Sequence, residues 1–397
     1  MQIINDLNIL WIIGASQGFL LTMFLILKKD RRINSPLILF VFLTSVELFF
    51  QYIYASELIF QYPHLLYISE PFSMLSGVLI FFYARNILSG AFILRKSDLL
   101  FFIPFLLYVI YYFPSYNQSA EDKVFDIIDF YNAGISWDEN LYEWIAEVIV
   151  TIPFLIFSVR LSNKYHKRIK ENFSDISKIS YKVVRNLVIA FAVLYFLEIL
   201  TIILAYTKPQ IAVSLNSFLF VFVIGIVYML GYDALVRKNT ETVKLIYIQE
   251  NQSHETSEVR IKTENSEIEI TPKYKKNSLP DSKLNEISKK IECYITNEKP
   301  YRNPELRLND LALLIQEHPH HVSQVINDTY KKNFYDFINF YRIEESKILL
   351  KSHEFNKFTI TAIGFEVGFN SKSAFYSSFK KLANITPVQF KKMNSTE

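Results

Sequence analysis

The sequence predicts an all-α protein in two parts, a bundle of membrane-spanning helices followed by a smaller, water-exposed helical domain. Three observations predict it. Apolar residues make up 51% of the chain and aromatic residues 16%, and the excess lies within residues 1–235. In that half, apolar runs of spanning length alternate with charged loops. Beyond residue 280 the apolar positions instead recur at helical spacing and are punctuated by cap residues, glycines and prolines. A length of 397 residues allows two or three domains. The net charge of +3 is too small to decide a partner. The single cysteine, Cys293, excludes an internal disulfide and a cysteine-cluster zinc site. On its predicted amphipathic helix it reads as a small apolar filler.

Residues 8–27 form a nearly unbroken apolar run of about 20 residues. No basic segment precedes it and no small-residue cleavage site follows, so it reads as a first transmembrane helix and not as a removed signal peptide. Further spans are expected at 36–54, 65–88, 99–113, 141–159, 184–206 and 211–230, about seven in all, the fourth being the shortest.

Loop charges test that count. Lys28, Lys29, Arg31 and Arg32 lie in the first loop, and Arg85, Arg95 and Lys96 in the third. The fifth holds Arg160, Lys164, Lys167, Arg168, Lys170, Lys178, Lys182 and Arg185, and Arg237 and Lys238 follow the last span. The intervening loops offer only Lys123 and Lys208, and the longer is acidic. Basic residues thus alternate loop by loop, as the positive-inside rule requires. The expected placement is a multi-pass protein of the bacterial inner membrane, with the N-terminus outside and the C-terminal domain in the cytoplasm.

Three carboxylates fall within predicted spans: Glu47, Glu70 and Glu198. A charge inside a bilayer is costly and commonly faces a partner or a cavity. Together they are candidates for an intramembrane signal site; the alternative is pairing with neighbouring Tyr and Ser side chains or a position near a span end. Glu143 and Glu147 share a face at the outer end of the fifth span, where Trp137 and Trp144 read as interface anchors. His64 reads as a surface residue. The outer segment 114–140 is too short for a folded sensor, although 124–128 is expected to form a short interfacial helix.

Residues 238–282 read as a polar cytoplasmic linker, with a weak alternation over 255–271 that fits a small hairpin and a basic cluster at Lys273-Tyr274-Lys275-Lys276. An amphipathic helix over 281–297 then turns Leu284, Ile287, Ile291, Tyr294 and Ile295 to one side. Asn309 is expected to cap a helix over 310–316 with Leu311, Leu314 and Ile315 inward, and Pro319 to open the next, with Val322, Val325 and Ile326 inward. A long helix over 334–350 carries Phe337, Ile338, Tyr341, Ile343 and Leu349, with Arg342, Glu345 and Lys347 as its charged side. Thr359 caps a helix with Ile360, Ile363, Phe365 and Val367 apolar. Gly364 is small where a second helix crosses, and Gly368 stops the helix. Ser371 caps a helix with Ala374, Phe375, Phe379 and Leu382 inward. Thr386-Pro387-Val388-Gln389 opens the last one with a Thr cap, Pro at the first helical position and Gln three residues on.

Gly368-Phe369-Asn370-Ser371, Phe375 with Phe379-Lys380-Lys381, and Thr386-Pro387 ahead of Phe390 resemble the second helix-turn-helix of the AraC/XylS family of transcription regulators. Leu311-Ala312, Val322-Ser323-Gln324-Val325-Ile326-Asn327 and Phe334 through Asn339 to Arg342-Ile343 resemble the first. The resemblance covers about residues 300–393. With the hydropathy and the polar stretch after it, the expected division is a transmembrane domain over 1–237, the linker over 238–282 and, by the resemblance, a DNA-binding domain over 283–397. That domain would hold two helix-turn-helix units, at about 305–330 and 359–382, as in the membrane-bound members of the family.

By this resemblance His320, His321, Ser323, Gln324 and Asn327 are the base-reading positions of the first unit, and Lys372, Ser373, Ala374 and Ser377 those of the second. Lys380 and Lys381 are better placed for phosphates. Departures are His318, where Ser or Asp is the usual cap, Gly364 for a frequent Ala, and Ser377 for a frequent Arg. The His318, His320 and His321 trio lacks carboxylate or Cys partners at ligand spacing, so no metal is expected, and no cofactor.

The implied partners are double-stranded DNA, the lipid bilayer, RNA polymerase, an unidentified signal ligand or membrane protein, and a second copy of the chain. No phosphate-binding Gly-rich loop, nucleophile elbow or helical metal-ligand pair points to an enzyme. A transmembrane transporter or enzyme with a regulatory DNA-binding tail is the alternative, with Glu47, Glu70 and Glu198 as its working groups. Cleavage in the linker, freeing the DNA-binding part, is a third arrangement.

Overall fold

The structure is a computed structural model and describes residues 2–133, 137–176, 181–207, 209–236 and 279–394. Those residues are almost entirely helical, and none forms a sheet strand. The chain divides into two compact units. One comprises Met1–Asn163 with Ser180–Thr263; the other comprises Lys164–Ile179 with Glu264–Glu397. Residues 238–278 of the linker, with the hairpin expected at 255–271 and the basic cluster at 273–276, lie outside the described residues, as do the side chains of Trp137, Glu143 and Trp144; the last two linker positions, Asp281 and Ser282, open the next helix.

The first unit holds α1 (Gln2–Leu27), α2 (Ser35–Ala55), α3 (Ser76–Ser89), α4 (Ile103–Tyr116), α5 (Ala120–Ala133), α6 (Trp137–Asn172), α7 (Tyr181–Thr207) and α8 (Pro209–Val236), with α6 counted in the second unit from Lys164 onward. α1 packs along α2 and α8, α2 on α3, and α7 on α8. Six helical stretches are long and apolar enough to cross a membrane among the described residues. In α8, where sequence expects a seventh, the described apolar part is the shorter Val221–Val236.

The outer faces of these helices are apolar. On α4, Leu106, Leu107, Ile110, Tyr111 and Phe113 are exposed and Tyr112 is the buried residue. Such a surface suits hydrocarbon and not water. Several hydroxyls inside the bundle bond to their own helix, as Thr22 Oγ1 does to Gly18 O (2.9 Å) and Ser158 Oγ to Phe154 O (2.8 Å).

Two expectations shift here. The third span is not one helix: two 3₁₀ turns, Pro63–Leu65 and Glu70–Leu75, precede α3. Pro71 disfavours helical backbone at the residue before it, and Tyr67 has a positive φ of 68°. Glu70 therefore heads a turn. The short helix expected at 124–128 is the longer α5, and Ser119 opens it by accepting from the Asp122 amide at 3.1 Å.

The second unit holds α9 (Asp281–Glu298), α10 (Leu308–Leu314), α11 (Pro319–Asp328), α12 (Phe334–Lys351), α13 (Ile360–Glu366), α14 (Lys372–Ala383) and α15 (Pro387–Asn394). It has two cores. Ile287, Ile291 and Ile295 of α9 join Leu311, Val322, Val325, Ile326, Phe334, Phe337 and Ile338 in the first. Ile343 and Leu350 join Ile363, Val367, Phe369, Phe375 and Phe379 in the second. α12 thus gives its first half to one core and its second half to the other.

Candidate nucleic-acid interface

Each core is closed by a short helix, a tight turn and a capped second helix. In the first, α10 ends at Leu314 and the Glu317 amide donates to Ala312 O at 2.9 Å. Gln316 takes the left-handed backbone of the turn, at φ 58°. α11 starts at Pro319, and His318 Nδ1 accepts from the His320 amide at 3.2 Å. The imidazole therefore supplies the cap that Ser or Asp usually gives. Asn309 lies inside α10 and does not cap it; the amide of Arg307 donates to Asp310 Oδ2 at 2.9 Å instead.

In the second, Thr359 Oγ1 accepts from the Ala362 amide (3.1 Å) and Ser371 Oγ from the Ala374 amide (3.2 Å), so both helices are capped where the sequence places the caps. Thr386 and Gln389 form the expected reciprocal cap of α15, with Thr386 N donating to Gln389 Oε1 at 2.9 Å and Gln389 N to Thr386 Oγ1 at 3.2 Å. Gly364 lets α14 approach: a Cβ there would lie 2.7 Å from the Phe375 ring. Gly368 has φ +100°, and its Cβ would lie 2.4 Å from Tyr301 O. Only glycine fits that turn.

α11 and α14 bury one face and expose the other. On α11, Val322, Val325 and Ile326 are buried, His320 and Asn327 are exposed, and His321, Ser323 and Gln324 are half-buried. Burial, with Lys283, His318 and His320 nearby, pushes the His321 imidazole below its usual value. On α14, Phe375, Ser378 and Phe379 are buried, while Lys372, Ser373, Ser377, Lys380 and Lys381 are exposed. Ala374 is half-buried against the second core. Lys381 Nζ pairs with Asp336 Oδ1 at 2.7 Å. Each second helix therefore offers a polar or basic outer face while its apolar face is fixed by a core.

Several side chains differ from the periodic reading. Phe365 and Leu314 are exposed, because each sits at the end of a two-turn helix. Cys293 is exposed and not a filler. The largest difference is Arg342, assigned to the charged side of α12 but only 1% exposed. Its Nε donates to Tyr301 O (2.7 Å), its Nη1 to Asn339 Oδ1 (3.2 Å) and its Nη2 to Asn303 O (2.9 Å). Burial lowers its pKa to about 10, so the charge persists at neutral pH. Glu345, also buried, accepts from Arg302 Nε (3.1 Å) and Lys299 Nζ (2.8 Å). Burial raises its carboxyl, but those bonds outweigh burial and hold it below the usual range.

The second candidate site lies in the first unit. A cavity of about 90 Å3 is lined in part by Thr44, Glu47, Ser76, Glu147, Phe191 and Tyr195. The Tyr195 hydroxyl is 3.2 Å from Glu147 Oε1, Thr151 Oγ1 and Ser76 Oγ. Glu47 thus meets Glu147 at the cavity, whereas Glu70 and Glu198 are not among the lining residues. Among the described residues, no group of three metal-ligating side chains is present.

The sequence pattern of a family described as a helix-turn-helix domain matches residues 314–393, from the end of α10 through α15. The C-terminal part of this chain is an AraC-type helix-turn-helix domain. Over 55 residues the chain is 47% identical to an uncharacterized HTH-type transcriptional regulator, YdeC, of Bacillus subtilis (strain 168), covering 14% of this chain and 18% of the relative. Over 113 residues it is 28% identical to an uncharacterized HTH-type transcriptional regulator of Staphylococcus aureus (strain COL), covering 28% of this chain and 14% of the relative. The chain therefore spans less than a fifth of the length of these curated relatives. No solved structure matches it. The helix-turn-helix domain and the apolar helices before it are what the comparisons and the fold establish together.

Proposed function

We propose that this chain is a membrane-tethered, sequence-specific DNA-binding transcription regulator that couples a signal at the membrane to gene expression. The observation that carries the reading is the pair of capped helices, α11 and α14, each with an apolar face in a core and a polar or basic face outward. A helix presented this way fits the major groove and reads bases from its N-terminal side chains. His320, His321, Ser323, Gln324 and Asn327 on α11, and Lys372, Ser373, Ala374 and Ser377 on α14, are the reading set. Lys380 and Lys381 hold phosphates. The similar proteins carry regulator names, which agrees with this use.

Tethering rests on the apolar exterior of the first unit and on the alternation of basic loops, which puts the helix-turn-helix domain on the cytoplasmic side. Domain limits near 237 and 283, contact with RNA polymerase and pairing with a second copy belong to the same proposal. Glu47, with Glu70 and Glu198, remains the signal-site candidate, and the cavity adds Glu147. Genome-wide crosslinking of the tagged chain, with fractionation of membranes, tests the reading. Discrete enriched duplexes from a membrane-bound chain are expected; no enrichment, or a periplasmic signal from a reporter fused after Glu397, overturns it.

The cavity favours one second reading, a transporter or membrane enzyme with a DNA-binding tail. It predicts that Glu47→Gln with Glu147→Gln abolishes transport or turnover in vesicles, while the regulator reading predicts altered gene expression with no such loss.

A further inference from the structure

Phe173, Ser174 and Asp175 come directly after α6 and precede α7 in the chain, so they lie between two helices of spanning length. Their partners are in the helix-turn-helix domain, within the second compact unit. Phe173 forms an antiparallel bridge with Arg307, whose guanidinium lies 5.6 Å from the Phe173 ring. The Ser174 amide donates to Leu306 O at 3.2 Å and its hydroxyl to the same oxygen at 2.7 Å. Arg342 Nη1 donates to Ser174 O (3.1 Å) and Nη2 to Ser174 Oγ (3.2 Å). Asn370 Nδ2 donates to Asp175 Oδ2 at 2.7 Å. Both Phe173 and Ser174 are buried.

These partners span both halves of the domain. Leu306 and Arg307 lead into α10 of the first helix-turn-helix, Arg342 is in the middle of α12, and Asn370 is in the turn of the second. Three residues therefore staple the two halves together. The staple leaves the outward faces alone, since His320, Asn327, Lys372, Ser373, Ser377 and Lys380 all stay exposed. Occupation is compatible with DNA.

Withdrawal leaves Arg342 with partners inside the domain. Without Ser174, Arg342 Nε still has Tyr301 O, Nη1 still has Asn339 Oδ1 and Nη2 still has Asn303 O. Every guanidinium nitrogen thus keeps an acceptor when Ser174 is away, as a reversible contact requires.

We propose that Phe173–Asp175 is an intramolecular docking ligand of the helix-turn-helix domain, through which the segment between α6 and α7 controls DNA affinity. Resting on the DNA-binding reading above, it assigns the seam of Leu306, Arg342 and Asn370 one occupant, this segment. Seated, it fixes the two halves at one mutual angle, which both reading helices need to enter successive grooves together. Preorganisation of this kind raises affinity by removing the ordering cost from the binding step.

The test uses the full chain in its native membrane. With Cys293→Ala in the background, an Asp175→Cys/Asn370→Cys pair is expected to be bridged by a short bifunctional thiol crosslinker, read by mass spectrometry, and the bridged chain to keep normal occupancy of its crosslinked chromosomal duplexes. Ser174→Pro with Asp175→Ala is expected to lower occupancy of those duplexes at least tenfold, with amide-exchange protection of α12 and α14 unchanged. The milder Asp175→Ala alone is expected to give an intermediate loss. Failure of the cysteine pair to crosslink, or wild-type occupancy by the unstapled chains, overturns the proposal. If the wild-type chain itself enriches no duplex, the DNA-binding reading falls and the control of affinity with it. The crosslink, which needs no DNA, tells the two failures apart.

Discussion

Arg342 Nε donates to the carbonyl oxygen of Tyr301 at 2.7 Å, and a Cβ on Gly368 would lie 2.4 Å from the same oxygen. One backbone carbonyl is thus held between the middle of α12 and the turn of the second helix-turn-helix. Arg342→Met keeps the unbranched apolar stem and removes the guanidinium donors, leaving the carbonyls of Tyr301 and Asn303 without them. Each buried acceptor left unmade costs about 1–3 kcal/mol, so the domain is expected to lose about 3 kcal/mol. Amide exchange of α12 in the full chain measures it, and a loss near zero would show that these bonds contribute nothing.

Gly368→Ala carries two penalties at once. Its φ of +100° is strained for any side chain, and the new methyl group meets backbone that cannot swing aside. The expected loss is well above the ~1 kcal/mol of a mere entropy change. Protease cutting at the 367–371 turn is the readout; an unchanged rate would mean that the turn shifts freely.

Glu345 sets a pH response. Its folded carboxyl is held below 4.5, so it stays ionised to lower pH in the folded chain than in the unfolded one. The stability it contributes is complete above 4.5 and is lost as pH falls through the lower folded value. Because the Arg302 and Lys299 side chains are about two-fifths exposed, added salt weakens the effect. Denaturation monitored at α12 between pH 6 and pH 3 is expected to be less pH-dependent in Glu345→Gln; equal slopes would remove Glu345 from the account.

The reading and positioning roles separate by mutation. Gln324→Ala is expected to cost about 1–3 kcal/mol on an enriched duplex and to relax one base position. Lys380→Ala should weaken all duplexes alike and reduce the salt slope by about 1. Binding titrations at several salt concentrations on enriched and scrambled duplexes check both, and equal losses on every duplex from the two changes would end the division of roles.

Much of the domain is legible in the sequence because its signals are local. Thr359, Ser371 and Thr386 cap helices starting within three residues of them, and Gly364 and Gly368 answer to a crossing and a turn close by in the chain. The features that periodicity misses depend on distant partners. Helical spacing assigns Arg342 outward, because the carbonyls that receive it belong to residues 301 and 303, some forty positions earlier. Phe365 and Leu314 are misplaced because two-turn helices fix their phase poorly. The break before α3 is marked by Pro71, a signal masked by the apolar run around it. Pairing Glu147 with Glu47 requires knowing which spans are neighbours, and the staple at Ser174 joins segments more than a hundred positions apart.

The sharing of α12 by two cores has a consequence for how this chain can change length. Every residue added to a helix rotates the remainder of the chain by about 100° and advances it by about 1.5 Å. Inserting one residue near Tyr341 would swing the whole second helix-turn-helix around the axis and point its outer face away from any duplex held by the first. Insertions of seven residues come close to two full turns and preserve the facing, but they shift the second half by roughly 10 Å along the helix axis. The connecting helix therefore admits no small adjustments: its length quantises the spacing and facing of the two helix-turn-helix units.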